Sequence, residues 1–117
     1  DELVARVRAL LRRGRGEGAV VLTIGDLTLD PAKHRVTRGG AAIDLTPKEF
    51  ALLEYFMRNP DRVLTRTMIS EHVWHEDFDS LTNVIDVFVN YLRAKIDKDF
   101  AKHLIHTIRG SGYCLKE

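Results

Sequence analysis

The residues best equipped for recognition chemistry lie in the last third of the chain. In the stretch from Asn83 to Ile96, Asn83, Val87, Asn90, Tyr91 and Ala94 recur at helical spacing, with Arg93 and Lys95 flanking them. Amides pair with adenine and small apolar groups meet thymine methyls, so such a face suits a DNA major groove. The same pattern also describes an amphipathic helix whose outer face meets only water. A second constellation follows at His106-Thr-Ile-Arg-Gly-Ser-Gly-Tyr113, where alternation gives way to two glycines and then to apolar Cys114 and Leu115. It reads as a tight β-hairpin with Arg109 at its tip. An exposed arginine beside Gly110, with Thr107 and Tyr113 near it, suits a narrow electronegative minor groove or a row of phosphates. A solvated surface turn carries the same signature.

Other chemistries find fewer residues. His72, His75, Glu76, Asp77 and Asp79 crowd one stretch, but there is no cysteine or second histidine pair beside them, so no metal site is expected. Cys114 sits among apolar neighbours, where a packing role fits better than a reactive thiol. No nucleophile elbow, phosphate loop or dinucleotide fingerprint appears; Gly110-Ser-Gly112 is too short and opens no helix. The chain is expected to be no enzyme and to need no cofactor.

These candidates need elements to hold them. Ile85, Phe88, Val89, Leu92 and Ile96 form one apolar stripe of the helix and predict that it is anchored on a core. Upstream, Val20–Ile24, Leu27–Asp30, Arg35–Arg38 and Ala42–Leu45 alternate with period two between turn signals, the strongest being Gly39-Gly40. They predict an antiparallel sheet of about four short strands. Thr46-Pro-Lys-Glu49 is a capping box with proline at the first helical position, opening a core helix through Phe50, Leu52, Leu53, Phe56 and Met57 to Asn59-Pro60. Val63-Leu64 reads as a brief strand, and Thr65 caps a second helix carrying Met68, Ile69, His72, Val73 and Trp74. In a helix-turn-helix the first of the paired helices crosses the DNA backbone, which places Arg66, at its start, to meet phosphate. Residues 1–13 read as a short amphipathic helix, and residues 14–19 as a glycine-rich linker.

Several of these motifs stand in a fixed order: Leu45-Thr-Pro-Lys-Glu-Phe-Ala-Leu-Leu53, Arg62-Val-Leu-Thr-Arg66, His72-Val-Trp74, Asn83-Val-Ile-Asp-Val87, Leu92-Arg-Ala-Lys-Ile-Asp97 and Thr107-Ile-Arg-Gly-Ser-Gly-Tyr113. From about Leu22 to its end the chain resembles the C-terminal effector domain of OmpR/PhoB-type response regulators, with a pattern similar to the heavy-metal-responsive branch. The resemblance implies an α+β fold: a winged helix-turn-helix with an N-terminal four-stranded antiparallel sheet, three helices and a C-terminal β-hairpin wing. It makes residues 1–13 the remnant of the last receiver helix and residues 20–117 the DNA-binding domain. It also implies a cytoplasmic bacterial protein that binds direct-repeat promoter DNA as a tandem homodimer after phosphorylation of the receiver by a cognate histidine kinase. Trp74 would lie near phosphate, and His75, Glu76, Asp77, Phe78, Asp79 and Ser80 would form a loop facing RNA polymerase. Many relatives carry basic residues where this chain has Asn90 and Tyr91, so an arginine-to-guanine contact does not transfer.

Composition is permissive. The 117 residues, 44% hydrophobic, suit one domain with a modest core, and one cysteine excludes an internal disulfide framework. No apolar run is long enough to span a bilayer, so no membrane partner is expected. A formal net charge of +1 neither requires nor forbids nucleic acid. A winged helix can also dock a partner protein through its outer face; steep salt dependence would distinguish DNA from such an apolar interface.

Overall fold

Four short strands, β1 (Leu22–Ile24), β2 (Leu27–Asp30), β3 (Arg35–Arg38) and β4 (Ala41–Ile43), pair in sequence order as an antiparallel meander. The computed structural model describes residues 20–75 and 82–117; the segments expected as receiver remnant (1–13), linker (14–19) and the loop residues 76–80 lie outside the described residues. The register aligns Leu22, Leu29, Val36 and Ile43 across the sheet, and Thr23, Thr28, Thr37 and Ala42 in the adjacent row. Because neighbouring residues on a strand point to opposite faces, the first row packs on the core and the threonines do not. Gly39 and Gly40, at φ +59° and +86°, form the two-residue turn between β3 and β4, with both central residues in the positive-φ region that such a turn needs.

Helix α1 (Pro47–Arg58) begins as its capping sequence requires. The Glu49 amide donates to Thr46 Oγ1 at 3.3 Å, and the Thr46 amide donates to Glu49 Oε1 at 3.0 Å. Its apolar residues Leu52, Leu53 and Phe56 are fully buried against the sheet and the third helix. Glu49 is buried too, and Lys95 Nζ reaches its Oε1 at 2.6 Å. Burial pushes this carboxyl up, but the hydrogen bond and charge of Lys95 and the Thr46 amide outweigh it, leaving the group below the ordinary carboxylate range. A depressed acid stabilises the fold at pH values above its unfolded pKa and ceases to do so as pH falls through its folded one. Urea unfolding between about pH 6 and pH 3 is therefore expected to cost the wild type more stability than Glu49→Gln. Equal losses would remove Glu49 as a source of acid sensitivity.

The second helix departs from the sequence expectation. Helix α2 is regular only over Arg66–Ile69, capped by Thr65, and continues as a π-helical turn over Ser70–Trp74 that ends with His75 at φ +59°. Ser70 Oγ donates to the Thr67 carbonyl at 2.9 Å, the acceptor that Glu71 would use in a regular α-helix. Lys48 Nζ takes the Val73 carbonyl at 3.2 Å, fixing the widened turn against α1.

Helix α3 (Thr82–Ile96) buries Ile85, Val89, Leu92 and Ile96 as its stripe predicts. Phe88 is only half-buried, edge-on to both Trp74 and Tyr91. The C-terminal hairpin, β5 (Ile105–Ile108) with β6 (Gly112–Leu115), is clamped to the body of the domain by a two-hydrogen-bond bridge between Tyr113 and Leu64. Leu64 thus makes an isolated bridge where a brief strand was expected.

Candidate nucleic-acid interface

Anchoring the apolar stripe of α3 leaves its opposite face in solvent. Asn83, Asn90 and Ala94 are exposed there, with Val87 at 43% and Tyr91 at 53% exposure. The five residues expected to form the DNA-binding face of this helix therefore share one accessible side. Edge-on contact with Phe88, at a centroid distance of 5.7 Å, steadies the Tyr91 ring from the core side.

The hairpin meets this helix along a polar seam. Arg93, half-buried, donates from Nη2 to Thr107 Oγ1 at 2.5 Å and lies over the Tyr113 ring, 5.3 Å from its centroid. Arg66 approaches the same ring at 5.2 Å and donates from Nε to Asp86 Oδ1 at 2.9 Å. Tyr113 completes the cluster by donating its hydroxyl to Asp86 Oδ1 at 2.5 Å. Burial, then the hydrogen bond and charge of Asp86, push the Tyr113 phenol up, so it remains a donor at neutral pH. The hydrogen bond to Asp86 likewise strengthens the hold of Arg66 on its proton.

The seam changes what several candidates offer. Tyr113 is 4% exposed, so its phenol joins wing to helix instead of standing free beside the hairpin tip. Arg66 is half-buried and ion-paired, with only part of its guanidinium outward. Trp74 is also half-buried, packed against the core and facing Lys48 Nζ at 5.4 Å. Arg109 and Gly110 are exposed at the turn, where Gly110 adopts φ +77° and the Ser111 amide donates to the Ile108 carbonyl at 2.9 Å. Of the acidic loop, only exposed His75 falls within the described residues. Among those residues no group of three or more His, Cys, Asp or Glu side chains could hold a metal ion, and Cys114 is buried and free. No described helix is long and apolar enough to cross a membrane.

Residues 40–115 match the family described as transcriptional regulatory protein, C terminal, which covers the helices and the wing. The chain belongs to that family. It is a winged-helix effector domain of the OmpR/PhoB response-regulator type, the DNA-binding class of transcription regulators, and not an enzyme. The effector domain is 55% identical over 115 residues to the transcriptional regulatory protein PcoR of Escherichia coli, covering 98% of this chain and 51% of PcoR. It is 52% identical over 120 residues to the response regulator MprA of Mycobacterium avium (strain 104), covering 100% of this chain and 53% of MprA. The chain thus spans about half the length of these relatives. Among solved structures, the Klebsiella pneumoniae RstA DNA-binding domain in complex with RstA box superposes with a TM-score of 0.75 at 25% identity, covering 82% of this chain and 96% of that one.

Sequence reasoning missed two residues that organise the effector domain's interface. Asp86 lies between the core stripe and the outer face of α3, and only the fold brings Arg66 and Tyr113 to it. Arg38, in a strand that alternates apolar with polar, is 1% exposed and holds the far end of α3. Its register on β3 did carry a signal. Arg38 shares the inward face with Val36, so either an unusual buried cation or a broken strand was implied.

Proposed function

We propose that this domain binds double-stranded promoter DNA, with the outer face of α3 in the major groove and the hairpin wing in the adjacent minor groove. The observation that carries this reading is the seam: Arg93, Thr107 and Tyr113 tie an exposed reading face to an exposed arginine-tipped turn as one rigid unit. Asn83 and Asn90 hydrogen-bond base edges or phosphates, Val87 and Ala94 meet thymine methyls, and Tyr91 touches base or backbone. Arg93 serves as a phosphate clamp. Arg109, Gly110 and Thr107 follow the second groove, with Tyr113 supporting them, and Arg66 and Trp74 approach backbone phosphates through the parts of their side chains left exposed. That the RstA domain is described in complex with RstA box agrees with this assignment.

For the whole protein we extend this reading by likeness to the family. The domain acts in the cytoplasm of a bacterium, on direct-repeat sites, as a tandem homodimer promoted by phosphorylation of a receiver by its cognate kinase. Residues 75–80 are assigned to contact with RNA polymerase, since acidic groups in their sequence would be repelled by DNA phosphate.

Selection of bound sites from a random DNA pool tests the central claim. Asn90→Ala is expected to relax preference at particular base pairs by about 1–3 kcal/mol, whereas Arg109→Ala weakens binding at most sequences and lowers the salt slope by about one. Uniform loss on all sequences from Asn90→Ala would remove it as a reader. Salt-independent binding would favour a protein partner on the same face.

A further inference from the structure

We propose that Asp86 sets the selectivity of DNA binding as a positioning residue: it holds and neutralises Arg66, so that this arginine meets phosphate only when α3 and the wing are both seated. The inference rests on the DNA reading and adds to it a residue that acts against binding in the wrong register.

An anion beside a DNA-reading face is a liability. Asp86 is the one acidic residue in Thr82–Ile96, three residues from Asn83 and four from Asn90, and like charges repel at such distances. Stability does not explain it. Arg66 and Asp86 are 33% and 35% exposed, and ion pairs in contact with water contribute little to folding.

The contacts of Asp86 give it another use. Its Oδ1 accepts from Arg66 Nε at 2.9 Å and from the Tyr113 hydroxyl at 2.5 Å, so one oxygen ties the start of α2 and the wing to α3. The Arg66 guanidinium also lies 5.2 Å from the Tyr113 ring centroid, which restrains it further. Arg93, the other cation over that ring, is bonded to Thr107 instead. A guanidinium carries five donors in a fixed fork, and the bond from Nε leaves four of them, now in one orientation, for an acceptor on another molecule. Released from Asp86, the same arginine would reach phosphate in any register, and attraction of that kind is independent of sequence. Held, it strengthens the seated complex and offers little to the others. Selectivity is a difference of affinities, so weakening the wrong complexes raises it.

Fluorescence anisotropy with two duplexes, one carrying a site selected from the random pool and one of unrelated sequence, tests the proposal. Asp86→Asn keeps an acceptor for the Tyr113 hydroxyl and removes the charge. It is expected to bind the unrelated duplex on the order of tenfold more tightly, the size of one charge-assisted contact, with the log–log salt slope steeper by about one. Affinity for the selected site changes by less than about threefold, so the ratio of the two falls. In an Arg66→Gln background the same substitution leaves that ratio unchanged. Arg66→Gln by itself weakens the selected site more than the unrelated duplex. Equal gains on both duplexes from Asp86→Asn would reduce the carboxylate to a repeller of DNA charge, and losses without a gain would make it structural; either overturns the proposal alone. Equal losses on both duplexes from Arg66→Gln overturn it even if Asp86→Asn fails to fold. Bulk binding by the wild type with no selected site overturns it as well, there being no selectivity to set. Absence of any DNA binding by the wild type overturns the DNA reading and the proposal with it.

Discussion

Arg38→Ala is expected to destabilise the domain by about 3–5 kcal/mol, the cost of removing one partner from a buried ion pair and leaving the other charge unpaired. The arginine is 1% exposed and makes four hydrogen bonds that join three parts of the fold. Nε donates to Asp26 at 2.5 Å at the start of β2, and Nη1 to Asp97 at 3.1 Å and to the Ile96 carbonyl, while Nη2 donates to the Lys102 carbonyl. Phe100 covers the guanidinium, its ring centroid 4.6 Å away. Two of these acceptors are backbone carbonyls at and beyond the C-terminus of α3, where a cation also meets the negative end of the helix dipole. Alanine would leave those carbonyls dry and unpaired and Asp97 charged in a buried site. Asp97 in turn aligns the start of β5 through the Leu104 and Ile105 amides, so the loss reaches the wing. Urea unfolding measures it. Adding Asp97→Asn to Arg38→Ala should restore part of the stability, because the orphaned charge is gone. A loss below about 1 kcal/mol, typical of an exposed pair, would mean that the network contributes little.

Gly112→Ala is expected to cost about 3 kcal/mol or more, through overpacking and backbone strain together. Gly112 has φ +154°, and a Cβ there would sit 2.1 Å from the Leu64 carbonyl oxygen and 2.9 Å from Thr65 Cα. Those atoms belong to the backbone of the bridge that clamps the hairpin, so they cannot rotate away. The clash would separate Tyr113 from Leu64, breaking the 2.8 Å and 3.0 Å hydrogen bonds between them and loosening the phenol from Asp86. Thermal unfolding should show a Tm lower by roughly 10 °C or more, given about 4–8 °C per kcal/mol in a domain of this size. DNA affinity should fall with it as the wing leaves the helix. Gly110→Ala provides the contrast. At φ +77° with open space around it, Gly110 carries only the conformational penalty of about 1–2 kcal/mol. If the two variants were equally destabilised, close approach at Gly112 would not be the cause.

Much of this domain is specified locally. Period-two alternation placed Leu29 and Val36 inward, and Gly39-Gly40 chose a turn that only positive φ permits. Thr46, Pro47 and Glu49 started α1, while the spacing of Ile85, Val89, Leu92 and Ile96 determined which face of α3 was left for partners. Each is settled within a few residues, by backbone geometry or by the period of burial. Side chains whose partners lie far along the chain were decided elsewhere. Tyr113 turned inward because Asp86 and Leu64 come to it from two other elements; Arg38 was buried because the end of α3 needed a donor; and α2 widened where Ser70 and Lys48 took carbonyls at the turn. Periodicity reports which side of an element is apolar, but pairing of polar groups across elements depends on distances that tertiary packing alone creates.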